Sequence, residues 1–335
     1  MHRLARIGDA SWVTTTAIDL PAPYRCRPLT LDDARAVTDL MAVCELQDIG
    51  EVQIELEDIV GDWQRPSFDL ATQSLGVYDE QDRLVAYAEV YGARRAEVYV
   101  LPEQRGRGIG SALMRWTWRL AEGLGGTLVG QTVPEGAAEA IALFEAHGYR
   151  RLWTSWILEL PEGANIAASP LPEGVEIRPV VLGEDERDAY RTVEDAFGEW
   201  PGREPVAFED WSAVVLQRPG FEAWQLLVAV ERVGDENPRD QQVVGVCFVI
   251  PSRDTGWVQY LAVRRDRRGR GLARALLLRA FGEARARGMT KAELNTDSRT
   301  GALDLYLHVG MRVKETFVHW AKDLRPSGDD GPGRA

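Results

Sequence analysis

RGRGIGSALMRWTWRLAEGLGG, residues 105–126, and RGRGLARALLLRAFGEARARGM, residues 268–289, decide how the chain is read. Each opens on closely spaced glycines, continues with apolar residues at helical spacing and breaks at a glycine. The apolar face is Leu113, Trp116, Leu120 and Leu124 in the first copy, and Leu272, Leu276, Ala280 and Ala284 in the second. Glycine lets a backbone come close to a ligand. The first N–H groups of a helix lack intrahelical partners, and the helix dipole adds positive partial charge there. A glycine turn entering a helix is therefore an anion cradle suited to a pyrophosphate. Arg105, Arg107, Arg268 and Arg270 stand where they could reinforce it.

The same order of elements flanks both copies. A short strand ending in Arg-Pro comes first, YRCRPL at 24–29 and VEIRPV at 175–180, followed by acidic, helix-patterned sequence. Two apolar runs joined by turn residues read as a β-hairpin in each block. They are SLGVYDE with RLVAYAEVYG, and WQLLVAVE with QVVGVCFVI across the turn-rich RVGDENPRDQ. One more strand leads into each glycine loop, AEVYVL at 96–101 and WVQYLAV at 257–263. After each long helix come a strand (TLVGQTV; KAELNT), a short helix ending in glycine (ALFEAHGY; DLYLHVGM) and a last strand (RLWTSWILEL; RVKETFVHWAKDL). The offset between blocks is 151 residues at the Arg-Pro strands, 163 at RGRG and 162 at the short helices. A nearly constant offset argues for a duplicated domain. The expected organisation is an arm at 1–23, a domain at 24–160, a Pro/Gly/Ala-rich linker at 161–173, a second domain at 174–325 and a disordered tail at 326–335.

Composition narrows the function. The chain has 335 residues, enough for about two domains at ~150 residues each, and a net charge of -13. An acidic protein is a poor partner for nucleic acid, and no apolar run reaches the ~20 residues of a membrane span. The three cysteines, Cys26, Cys44 and Cys247, and the four histidines have no metal-ligand spacing, and the cysteines suit a reducing cytoplasm. Lysine is scarce, at 3 against 36 arginines, as in high-GC genomes.

Neither loop has the GK[ST] of a Walker A motif, and Ser111 and Arg274 stand where a dinucleotide fingerprint needs its third glycine. What remains is [QR]xxGx[GA], RGRGIG at 105–110 and RGRGLA at 268–273. In this context the sequence resembles the GNAT family of acyl-CoA N-acyltransferases over about 24–160 and 174–324. Its arrangement is similar to the tandem-GNAT group, of the actinobacterial type to which mycothiol synthase belongs. The resemblance implies an α+β, sandwich-like fold of two tandem GNAT domains, each with a mixed, mostly antiparallel central sheet flanked by helices. It implies acetyl-CoA as acyl donor, one molecule per domain and two per chain, held by the backbone of Arg105, Gly106, Arg107, Gly108, Ile109 and Gly110, and of Arg268, Gly269, Arg270, Gly271, Leu272 and Ala273.

Further roles follow from the resemblance. The strands before the loops, at Val100 and Leu101 and at Leu261, Ala262 and Val263, would pair with the pantetheine arm after splaying from their neighbours. Asn295 would bind that arm or order the next helix, a capping role open also to Asp297 or Ser298. Tyr306, four residues before Gly310, would protonate the departing thiolate, and a phenol of pKa about 10 is a competent donor. Phe144 holds that place in the first block and cannot donate, with His147 as a substitute nearby. The second domain is therefore expected to be catalytic and the first a degenerate or structural acyl-CoA binder. Glu199, Trp200 and Trp211 would form the acceptor wall, with Phe208 beside them, while Glu199, Glu209, Asp210 or water would serve as base because Gln259 cannot.

The expected activity is transfer of an acetyl or other acyl group to an amine of a small molecule, in secondary metabolism such as antibiotic biosynthesis, by a cytoplasmic monomer or homodimer. The alternatives are a non-catalytic acyl-CoA sensor or scaffold, and a peptide or protein N-acetyltransferase.

Overall fold

The structure is a computed structural model that describes residues 18–166, 169–200, 203–232 and 241–324. Residues 1–17 of the expected arm, most of the RVGDENPRDQ turn and the whole expected tail at 326–335 lie outside them. The chain divides into two units, Met1–Leu152 with His319–Ala335, and Trp153–Val318.

Unit 1 runs β1 (Arg25–Arg27), α1 (Ala34–Asp48), α2 (Leu56–Trp63), α3 (Leu70–Gln73), β2 (Ser74–Tyr78), β3 (Leu84–Tyr91), β4 (Arg95–Val100), α4 (Ile109–Gly123), β5 (Leu128–Pro134) and α5 (Ala138–Ala146). Its strands lie in the order β1-β2-β3-β4-β5. The first three pairings are antiparallel, and β4 meets β5 in parallel. Leu113 and Leu120 of α4 bury the expected face against Val85 and Val90 in the same core, whereas Leu124 at the helix end is exposed.

Unit 2 repeats this plan with β7 (Val175–Pro179), α6 (Glu186–Phe197), α7 (Phe208–Val215), β8 (Leu226–Arg232), β9 (Gln241–Ser252), β10 (Thr255–Val263), α8 (Leu272–Ala286), β11 (Lys291–Asp297) and α9 (Leu303–Val309). Again the parallel pairing is the one before the last helix, β10 with β11. Leu272, Leu276, Ala280 and Ala284 are all in its core.

The duplication holds at atomic detail. Arg27 of the first Arg-Pro strand grips Asp33 through two bonds of 2.9 and 2.7 Å and its own Pro28 carbonyl. Arg178 of the second grips Asp185 at 2.6 and 3.1 Å and the Pro179 carbonyl. Each pair ties the first strand to the start of the first helix, and bidentate Arg–carboxylate geometry fixes direction as well as distance.

The closing strands depart from the sequence blocks. β6 (Arg150–Leu160), last in the first block, pairs from Ser155 to Leu160 along β11 and completes the sheet of unit 2. The end of β12 (Arg312–Asp323) belongs to unit 1, where Leu324 N–H donates to the Thr127 carbonyl at 2.9 Å and Asp323 pairs with Arg150. The boundaries expected at 24–160 and 174–325 therefore shift: most of β6, from Trp153, falls in unit 2, and the end of β12, from His319, falls in unit 1. Composition marks where a chain turns, but two terminal strands of the same alternation fit either sheet edge. The described residues of the expected arm and linker are more firmly held than their composition suggests. Ile18 and Leu20 pack on the core of unit 1, and Ala164 and Ile166 on that of unit 2.

The splay implied by the resemblance is present in both units. β4 and β5 pair only at Arg95 and Gly130, and β10 and β11 stop pairing after Val258 and Leu294. At the second divergence β10 carries a bulge at Gln259, whose side chain accepts a bond from Trp257. A bulge re-aims a strand, and here it sits at the mouth of the gap.

Candidate active site

Both glycine loops have one geometry. Gly106 and Gly108 have φ of +72° and +85°, and Gly269 and Gly271 have +73° and +81°. These are left-handed conformations that disfavour any residue with a Cβ. They turn the chain into α4 and α8 so that the first helical bonds are Ala112 N–H to Gly108 and Ala275 N–H to Gly271. The N–H groups of Ile109, Gly110 and Ser111, and of Leu272, Ala273 and Arg274, precede those bonds and are the free donors of each helix. A Cβ on Gly271 would meet nothing within 4 Å, so this cradle is open, while Pro21 lies 3.8 Å from the same point over Gly108. The residues present fit a pyrophosphate.

The loop arginines are placed differently from expectation. Arg105 binds Asp48 at 2.7 and 2.8 Å and the Val100 carbonyl, and Arg268 binds Glu199 at 2.8 and 3.0 Å and the Val263 carbonyl. These side chains are struts that hold the loop against the strand it leaves, because a carboxylate at or just past the end of the first long helix of each unit captures them. Glu199 is thus a strut partner rather than a free wall of an acceptor pocket, and Arg268 holds its carboxyl below the usual range. Arg270 and Arg267 share Glu231, whose carboxyl they lower together. Arg107 is exposed and reaches the Tyr24 hydroxyl at 3.4 Å.

Ladder alternation sorts the strand positions. Leu101 N–H bonds to Val85 and Arg264 N–H to Val244. In an antiparallel pair alternate residues bond across and the others face away. Leu101 and Ala262 therefore spend their backbone groups on the neighbouring hairpin strand, correcting their expected cofactor role. Leu261 faces the gap, as does Val98, which sequence reasoning missed and which lies 163 residues earlier at the motif offset. Val100 and Val263 also face it, but their carbonyls already accept from Arg105 and Arg268, leaving their N–H groups.

Asn295 is exposed on β11 one residue past the last β10 pairing, and its side chain has no hydrogen bond among the described residues. Asp297 does the local ordering instead, since it accepts Arg299 N–H at 2.8 Å and pairs with the Arg299 guanidinium.

Tyr306 comes from α9, which follows β11, yet its phenol feels Cys247 on β9. Tyr306 shares its core cluster with Cys247, which stands opposite Leu261 of β10. It is 7% exposed, and its hydroxyl has no hydrogen-bond partner among the described residues. Burial, with the Cys247 thiol adding to it, pushes its pKa well above the usual 10. A neutral, unspent O–H donor can protonate a leaving group. In unit 1 Phe144 stacks on Tyr149 at 4.9 Å and has no such group. His147 turns its Nδ1 to the Leu143 carbonyl at 2.9 Å and does not substitute.

Trp200 meets Phe197 in a tilted pair with ring centroids 4.6 Å apart, and the Arg299 guanidinium lies 5.3 Å from its ring, so it stays a wall candidate. Phe208 carries Arg187 over its ring at 3.9 Å. Trp211 is 1% exposed inside the core of unit 2, and its size, not any contact with solvent, explains it; the expected acceptor role is corrected. Asp210 is buried as well. Among the described residues no group of three His, Cys, Asp or Glu side chains could hold a metal ion, and no helix is long and apolar enough to cross a membrane.

Comparison with known proteins bears on the same elements. The acetyltransferase (GNAT) domain profile matches residues 72–151, and the acetyltransferase (GNAT) family profile matches 187–311. The chain is 30% identical over 274 residues to mycothiol acetyltransferase of Thermobifida fusca (strain YX), covering 72% of this chain and 80% of that protein. It is 32% identical over 254 residues to mycothiol acetyltransferase of Beutenbergia cavernae, with the same coverage of 72% and 80%. The crystal structure of a GCN5-related N-acetyltransferase from Sphaerobacter thermophilus matches with a TM-score of 0.73 and 32% identity over 92% of this chain and 98% of that one.

Proposed function

Because the chain belongs to the GNAT family of acetyltransferases, enzymes that move an acyl group from acyl-CoA to an amine, we propose that unit 2 carries out this transfer and unit 1 holds a second acetyl-CoA structurally. Acetyl-CoA, when bound, supplies the thioester. Leu272, Ala273 and Arg274 offer their free N–H groups to its pyrophosphate, and Leu261, with Asn295, receives the pantetheine arm. Tyr306 Oη gives its proton to the departing sulfur, and the buried, unpaired phenol is the observation that carries this assignment. Of the expected bases, Glu199 is held by Arg268 and Asp210 is buried, so removal of the amine proton is left to Glu209 or water.

The acceptor is an amine on a small metabolite, beside Trp200. We place it among thiol-cofactor precursors and secondary metabolites, including antibiotic pathways, and the enzyme in the cytoplasm. The relatives named as mycothiol acetyltransferases support the first class. Non-denaturing mass spectrometry with acetyl-CoA tests the arrangement. Two molecules per wild-type chain, with Gly271→Val losing one and Gly108→Val the other, is the expected result. A single site lost only through Gly108 would reject unit 2 as the donor site.

A further inference from the structure

Unit 1 contains a polar cluster that the transfer reaction does not use. Tyr87 and Glu89 of β3 stand directly opposite Tyr99 and Glu97 of β4, so all four share one face of the sheet. Glu89 is 8% exposed and accepts the Trp63 indole N–H from α2 at 3.0 Å. Tyr87 is fully buried, and its hydroxyl stands beside Glu89 without a bond of normal hydrogen-bond geometry. The Tyr87 and Tyr99 rings stack at 6.3 Å. Glu97, with its side chain 29% exposed and paired to Arg95, connects the buried end to solvent.

The fold does not need these groups. By the motif offset and the hairpin register, unit 2 places Val246, Phe248, Tyr260 and Ala262 at the same four positions, and none carries a charge at neutral pH. Two carboxyls on one buried face also oppose each other's ionisation. An isolated structural role would favour an apolar replacement, as unit 2 shows is possible. What answers the buried Glu89 carboxyl, the stacked rings and the unspent hydroxyl is a small cation with hydrogen-bond capacity, which would share Glu97 with Arg95.

We propose that unit 1 carries its own ammonium site, in which Glu89, Glu97 and the Tyr87 hydroxyl hold the head of a primary amine against the Tyr99 ring. This is separate from the transfer site in unit 2. Burial, then the charge of Glu97, raises the Glu89 carboxyl to about 7. The charged and titratable neighbours are Arg95, Glu97, Tyr99 and Tyr87 on the strands and Asp62 with Arg65 at α2. An ammonium ion stabilises the carboxylate, so binding releases the Glu89 proton. Because burial and Glu97 raise this carboxyl, the release is larger near neutral pH and falls as pH rises.

Benzylammonium is the probe, added to the full chain without acetyl-CoA, so the outcome is independent of acyl transfer. The Trp63 indole resonance, assigned through Trp63→Phe, reports unit 1 alone. A saturable shift is expected in the wild type, with proton release that falls from pH 7 to pH 8. Glu89→Gln keeps an acceptor for Trp63 and should weaken binding at least tenfold. Tyr87→Phe, which removes one hydroxyl, should weaken it severalfold and serves if the first variant folds poorly. No shift at 10 mM probe, or equal binding in the wild type and both variants, would overturn the proposal.

Discussion

Replacing Tyr306 by phenylalanine separates chemistry from packing because of what the phenol touches. The ring is 7% exposed in the apolar core of unit 2, and its hydroxyl has no hydrogen bond among the described residues. Phenylalanine keeps the ring contacts and gives up no bond, so stability should stay within about 0.5 kcal/mol or rise slightly. A general acid contributes ~10²–10⁴ in rate, so kcat should fall at least 100-fold, about 2.7 kcal/mol. The loop that holds the pyrophosphate is unchanged, so KM for acetyl-CoA should move less than about threefold. The pH dependence has a definite sign. Burial raises the phenol above its usual value, so the proton is retained and wild-type kcat should not fall between pH 7 and 9 through loss of this acid. The assay is release of free CoA with a primary-amine acceptor, alongside thermal unfolding. A variant that keeps kcat within twofold, or one that merely loses Tm, would assign Tyr306 to packing and refute the reasoning.

Trp211→Ala should cost about 3–5 kcal/mol in calorimetric unfolding of unit 2, because the indole is fully buried among Val193, Val215 and Phe248; a change below 1 kcal/mol would return it to a surface role. Arg27 hydrogen bonds, followed by those from Thr30, hold the Asp33 carboxyl at about 2. A depressed carboxylate stabilises the fold above its unfolded pKa near 4 and loses this as pH falls toward 2. With Arg27 half exposed, the contribution is about 1 kcal/mol after screening, so Asp33→Asn should lower stability at pH 7 by that amount and flatten the pH 4 to 2 limb. An unchanged limb in denaturant titrations would contradict this.

Much of the architecture was legible because two physical signals repeat. The glycines at 106, 108, 269 and 271 need positive φ, and the helical periodicity after them fixes both cores. The splay came from family resemblance, not from the residues. The fate of the last strands was not legible, since β6 and β12 carry the same apolar alternation and either sheet edge accepts it. The arginines misled for a related reason. Arg105 and Arg268 match an anion site by type and position, but Asp48 and Glu199, 57 and 69 residues away, capture them. Long-range ion pairs leave no local trace. Val98 could have been found by applying the 163-residue offset to Leu261. Glu89 and Glu97 are single carboxylates within apolar strands, and only the register placing them opposite each other under Trp63 reveals the cluster.

The assignment of catalysis to unit 2 is tested most directly by turnover in two matched variants, Gly271→Val and Gly108→Val. Each puts a β-branched side chain at a φ above +80° in one cradle. With acetyl-CoA and a primary amine, Gly271→Val should abolish CoA release while Gly108→Val retains at least a tenth of wild-type kcat. The opposite pattern, activity surviving Gly271→Val and lost with Gly108→Val, would move the reaction to unit 1 and contradict the account.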